Sequence, residues 1–245
     1  MEKWEDTGII LSLRPHAEHA AIVSALTLEH GKHHGYVHGA RSSQMRGKLE
    51  LGNHVDIQWQ SRLSENLGQY KIDLMQSYVG DLLNDRHKLT ALQAACALTD
   101  LCIAEREAHP NLYHGFLAFL DALKTEVWQA AYVYWEIGLL QELGFGLNLK
   151  QCVATGATDN LIYVSPKSGA AVCAEAGEPY KDRMLALPDF LSGGGNFEDK
   201  DIAHAMKMAG YFLLNRVLAP ANLSMPEPRT RLFQSVIPDQ ETDLE

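Results

Sequence analysis

Three groups of residues in this chain have types and spacings that could do chemistry. Cys152 and Cys173 bound the stretch "QCVATGATDNLIYVSPKSGAAVCAEAG", each beside a glycine-bearing turn, with a short apolar segment between them. Thiolates placed this way begin the two knuckles of a zinc ribbon. Histidines form the second group: His30, His33, His34 and His38 crowd one stretch, and His16 and His19 stand three apart. A metal needs convergent ligands held by supporting hydrogen bonds, whereas these imidazoles lie among lysines and arginines in segments that read as strand and loop. They suit hydrogen bonding to phosphate or stacking on a base better. The third group is the acid-free run "HGKHHGYVHGARSSQMRGKL", residues 30 to 49, which carries Lys32, Arg41, Arg46 and Lys48. It is a local positive stripe of the kind that tracks a phosphodiester backbone.

Other chemistry is missing. The one glycine cluster, "LSGGGNFEDKD", lacks the Gly-Lys-Ser/Thr with which a P-loop reaches terminal phosphates and magnesium, so it reads as a loop before a helix. There is no Gly-x-Ser-x-Gly elbow and no His-Glu-x-x-His pair. The expectation is therefore a protein with no catalytic residues and no cofactor, and not an enzyme.

The formal charge of −10 argues against a polyanionic partner until its distribution is read. Residues 1 to 80 hold 8 Lys+Arg against 9 Asp+Glu, and residues 81 to 245 hold 13 against 22. The acidity thus belongs to the second part and leaves the stripe free to act. At 245 residues and 46% hydrophobic the chain can bury a substantial core. No apolar run is long enough to span a membrane, and "MEKWEDTGII" carries acids where a signal peptide has a basic region. Four scattered cysteines do not make a disulfide framework, so reduced thiols and the cytoplasm are expected.

The elements that must position these residues change character near residue 80. "GIILSLR", "HAAIVSALTLEHG", "GYVHGA", "HVDIQWQSRL" and "YKIDLMQSY" alternate or run apolar over strand lengths, separated by glycine turns. Five short strands around a basic loop suggest a small barrel, and the OB-fold is the five-stranded barrel that commonly holds single strands. Alternation puts Trp59 with Val55 and Ile57 in the core, whereas Tyr36 sits among basic residues and is the better stacking candidate. From about residue 85 apolar residues recur three and four apart: "KLTALQAACALTDLCIAERE", "NLYHGFLAFLDALK" and "TEVWQAAYVYWEIGLLQELG" read as helices. Cys96 and Cys102, six apart on the first of these, read as small core residues. A last helix is expected over 199 to 218, with Ile202, Met206, Ala209, Leu213 and Val217 on one stripe and Pro220 ending it. The tail "PDQETDLE" reads as acidic and loose.

"GIILSLRPHAEHAAIVSALTLEHG", "GYVHGARSS", "LELGNHVDIQW", "YWEIGLLQELGFGLNL" and "SPKSGAAVC", in this order and spacing, resemble the bacterial RecO family of DNA repair proteins over essentially the whole chain. The resemblance implies an α+β chain: an N-terminal five-stranded OB-fold β-barrel over residues 1 to 80, then a mainly α-helical domain over 81 to 245. A cysteine-bearing β-hairpin at about 150 to 180 would be inserted in the latter. It implies a recombination mediator that binds single- and double-stranded DNA, anneals complementary strands, associates with RecR, engages the C-terminal tail of single-strand-binding protein (SSB) and helps load RecA. A cytoplasmic, nucleoid-associated protein is expected. The DNA contacts would come from Lys32, His33, His34, Tyr36, Arg41, Arg46, Lys48 and Arg62. The resemblance implies, as in many members of the family, two Cys-x-x-Cys pairs in the hairpin, but here Thr155 and Ala176 hold the second place of each, leaving only Cys152 and Cys173. Two thiolates do not complete a structural zinc site, so no metal is expected. The rival reading is a non-catalytic adaptor whose barrel and helical domain bind proteins instead of DNA.

Overall fold

The computed structural model describes residues 1 to 16, 18 to 63 and 66 to 237. The acidic tail expected to be loose lies outside the described residues. Five strands open the chain: β1 (Glu2–His16), β2 (Ala20–Thr27), β3 (Gly31–His38), β4 (His54–Ser61) and β5 (Gln69–Gln76). They close as a barrel in the order β1-β2-β3-β5-β4, with β4 returning to β1 and a single parallel register pair, Tyr36 with Gln69, joining β3 to β5. A short helix α1 (Ser43–Lys48), capped by the Ser42 side chain, connects β3 to β4.

Burial follows the pleat where one face meets solvent. On β4 it alternates strictly, with Val55, Ile57 and Trp59 inward. These three pack with Ile10, Val23, Ala25, Val37, Tyr70 and Ile72 in one cluster, and Met45 of α1 lies against it. On β1, by contrast, Ile9, Ile10 and Leu11 are all buried, and the register with β2 slips between Ile10 and Ser12, as a β-bulge does. The reason is a second layer: helix α3 (Arg86–Cys102) packs on β1 and β2, so both faces of β1 are covered around Ile9 to Leu11, while its far end from Leu13 onward stays exposed. Cys96 Sγ donates to the Ile10 carbonyl at 3.7 Å, and Ser24 Oγ donates to Asp100 Oδ1 at 2.6 Å. A Cβ on Gly52 would lie 2.5 Å from Leu92 Cδ1, which shows how closely the α3 side chains approach the barrel's backbone.

The change of sequence period near residue 80 and the change of compactness fall at different places. The chain divides into a unit from Met1 to Trp128 and a second from Gln129 onward. Helices α2 (Val79–Leu82), α3 and α4 (Pro110–Ala122) fall in the same unit as the barrel, with α3 against β1 and β2 and α2 against α3. Tyr113 of α4 donates to Thr7 Oγ1 at 2.8 Å and lies 2.8 Å from His54 Nε2.

The second unit holds most of α5 (Trp128–Glu142), a small sheet, α6 (Ala174–Gly177), α7 (Asp189–Ser192), α8 (Asp199–Phe212) and α9 (Glu227–Val236). The expected hairpin is a three-stranded sheet: β6 (Leu161–Val164) pairs with both β7 (Ala171–Cys173) and β8 (Leu185–Ala186). Leu161 and Val172 are buried. The helix expected over 199 to 218 is α-helical only to Phe212 and continues as a π-helix over Leu213–Leu218. The wider turn rotates the buried position off the expected stripe, so Leu218, not Val217, is fully covered. Among the described residues no helix is long and apolar enough to cross a membrane.

Candidate nucleic-acid interface

The acid-free stripe does not fold as one surface. On β3 successive side chains alternate, and α3 covers part of the outer face. Lys32, expected to meet phosphate, is only 8% exposed, and its Nζ donates to the Asp100 carbonyl at 2.7 Å. His33 points into the barrel among Trp4, Trp59 and Tyr70, with the Tyr70 hydroxyl 3.2 Å from its Nδ1. Burial, aided by the charge of Arg106, lowers its pKa from 6.5 to about 4, so it is neutral near neutral pH. Both residues were expected among the DNA contacts, and both are withdrawn from solvent. His34 faces outward but pairs with Glu105 at 3.3 Å.

The remaining cations separate further. Lys48, on α1, donates to Asp73 Oδ1 at 2.7 Å, a bond that holds the Asp73 carboxyl below its ordinary pKa. Arg41, in the turn after β3, and Arg46, on α1, are exposed at that end of the barrel. Arg62 is exposed just after β4.

Tyr36 stands at the centre of a face that sequence reasoning missed in part. Cross-strand register runs Arg14, Ile22, Tyr36, Gln69 through β1, β2, β3 and β5, which sets these residues side by side on one surface. The next row brings His16 opposite Ala20 and His38. The half-buried Tyr36 ring meets His16 edge-on at 5.6 Å and His38 at 4.5 Å. Arg14 is exposed. The signal for it was present in "SLRPH", where Arg14 and His16 share strand parity, but pairing them with Tyr36 requires the β1 to β2 register. An aromatic ring with imidazoles beside it and an arginine across the row can stack on a base and hold a phosphate.

Cys152 and Cys173 do come together. The Cys173 N–H donates to Cys152 Sγ at 3.3 Å, and Thr155 Oγ1 lies 3.6 Å from Cys173 Sγ. Burial raises the Cys152 pKa, but bonds from the Thr155 hydroxyl and from the N–H groups of Cys173, Thr155 and Ala154 outweigh it and bring the thiol down to about 6. The two cysteines thus sit in a hydrogen-bonded turn, with the Thr155 hydroxyl beside their sulfurs. These residues do not fit a structural zinc ion. Among the described residues no group of three or more His, Cys, Asp or Glu side chains could hold a metal. The thiols of Cys96 and Cys102 are raised by burial, the latter to about 11.

The glycine cluster offers phosphate nothing. It precedes α8, whose N-terminus is closed by a capping box: Glu198 accepts from the helix backbone and Asp201 Oδ2 accepts from Glu198 N at 2.9 Å. With Asp199 also in the first turn, acids occupy the end of the helix that an anion would seek.

Residues 1–78 match the family described as recombination protein O N terminal, and residues 83–223 match recombination protein O C terminal. The chain is 48% identical to the DNA repair protein RecO of Rhodospirillum centenum over 231 residues, 94% of this chain and 92% of that one. It is 42% identical to the DNA repair protein RecO of Rhodospirillum rubrum over 96% of both chains, and 42% identical to that of Ruegeria sp. over 95% of this chain and 98% of that one. Matches of this extent span barrel and helices alike, and the chain belongs to the RecO family of DNA repair and recombination proteins.

Proposed function

We propose that this protein is a recombination mediator that binds single- and double-stranded DNA, anneals complementary strands and, with RecR, helps load RecA onto DNA coated by SSB. It works in the cytoplasm at the nucleoid and performs no bond-breaking chemistry. The barrel is an OB-fold, with residues 1 to 80 as the nucleic-acid-binding domain and 81 to 245 as the helical domain that carries the cysteine-bearing hairpin. The observation that carries this reading is the row Arg14, Ile22, Tyr36 on the outer face of β1 to β3, with exposed Arg41, Arg46 and Arg62. In OB-folds the face of strands 2 and 3, together with the loops bordering it, is where oligonucleotides lie.

The decisive experiment is binding of a fluorescent single strand over a salt series. If Arg14, Arg41, Arg46 and Arg62 all meet phosphates, log affinity should fall against log salt with a slope of roughly −3, at about 0.7 per contact. Absent or salt-insensitive binding would leave the adaptor reading, to which the acidity of residues 81 to 245 already lends itself.

A further inference from the structure

Toward Gly31 strand β3 leaves β5, and its edge is covered by residues 105 to 107 instead. Lys32 bridges Glu105, and Arg106 N donates to the Lys32 carbonyl at 2.9 Å. Arg106 has φ 63, a conformation that residues other than glycine seldom take. Where the strands part, a groove of about 330 Å³ opens, lined by Arg14, Ile22, His34, Leu67, Glu105 and Arg106. That lies within the ~300 to 1,000 Å³ of small-ligand sites.

The groove is built on fixed backbone. Trp59 Nε1 donates to the Leu67 carbonyl at 3.0 Å, and Tyr36 N donates to the Gly68 carbonyl at 3.0 Å. Gly68 has φ +65, and a Cβ there would lie 2.2 Å from Trp59 Nε1, so only glycine lets the indole reach this loop. Leu67 is thereby held in place with its side chain 38% exposed.

We infer that this groove takes one unpaired nucleotide, its base on the Ile22 and Leu67 floor beside Tyr36 and its phosphate toward Arg14. The inference rests on the DNA-binding reading and narrows it to a strand whose bases are free. An apolar floor has no use for a phosphate, and the Glu105 carboxylate repels one from its own end. The same carboxylate can accept a base amino hydrogen, as acidic side chains do from cytosine. Bases in a duplex are stacked and expose only their edges, so they cannot enter; a single strand can splay one out.

The test compares a labelled mixed-sequence single strand, the same strand made abasic, and its duplex as competitor, by fluorescence anisotropy. The full-length protein should prefer the base-bearing strand to the abasic one by about fivefold or more, the scale of one base contact. Leu67→Ser should remove most of that preference, and Arg14→Ala should weaken both strands. Unlabelled duplex should displace the single strand less effectively than unlabelled single strand does. Melting curves check that each variant is folded, and Leu67→Ala replaces Leu67→Ser should the latter melt early. A Leu67 variant that retains the full preference, or a wild type that shows none, overturns the groove while leaving DNA binding intact. A wild type that binds no DNA at moderate salt takes down both.

Discussion

The guanidinium of Arg229 on α9 closes a two-point pair on the carboxylate of Glu136 on α5, at a place where they are 3% and 0% exposed. Arg229 Nη2 also donates to the Met206 carbonyl at 2.7 Å, and the Tyr132 hydroxyl donates to Glu136 Oε1 at 2.8 Å. Arg229 is therefore a structural tie between α5, α8 and α9, not a cation offered to a partner. Arg229→Ala leaves a buried carboxylate uncompensated and should lower unfolding free energy by about 3 to 5 kcal/mol. The double variant Arg229→Met/Glu136→Leu should lose distinctly less, because no buried charge remains. Urea titration measures both, and equal losses would contradict this account.

Salt slopes separate exposed cations from buried ones. Arg41→Ala/Arg46→Ala should make the slope for single-stranded DNA shallower by roughly 1.4. Lys32→Met should leave the slope where it is and instead cost about 1 to 2 kcal/mol of stability, since the Asp100 carbonyl loses its donor. Arg231, half exposed and paired with Glu227 at 3.0 Å, serves as the control whose removal leaves the slope unchanged. A Lys32 variant that loses a full phosphate contact would show that the barrel opens on DNA.

His33 ties stability to pH. It is neutral in the folded protein down to about pH 4, whereas the unfolded chain takes up a proton below about 6.5. Between these values the unfolded state binds more protons, so stability falls as pH drops from 6.5 to 4. The full span is worth on the order of 3 kcal/mol. Denaturant midpoints for the wild type and His33→Gln across this window should converge as the pH falls; parallel curves would exclude His33 as the source.

Zinc should be absent from the purified protein. Metal analysis after dialysis is expected to find far less than one zinc per chain, and Cys152→Ser/Cys173→Ser should cost a few kcal/mol at most, against the ~10 kcal/mol or more that a structural zinc contributes. Global unfolding of that variant at room temperature would be the contrary result.

Much of this architecture is legible in the chain itself. Period-two alternation such as Val55, Ile57, Trp59 fixes which side chains enter the barrel, because a strand has only two faces. That only Cys152 and Cys173 offer thiolates in the hairpin, beside Thr155 and Ala176, is likewise read from the chain, since hydroxyl and methyl groups cannot stand in for thiolates. The strand count and the helical period after residue 85 follow from the same local rules. What no local rule supplies is which charges remain at the surface. Lys32 and Arg229 look in the sequence like any other cation, yet α3 covers the first and α5 and α8 enclose the second. Arg14 and Tyr36 lie 22 positions apart and become neighbours only through the β1 to β2 and β2 to β3 registers. A positive stripe is a property of the linear chain, whereas a binding face is a property of strand register and of the second layer that covers one side and leaves the other open.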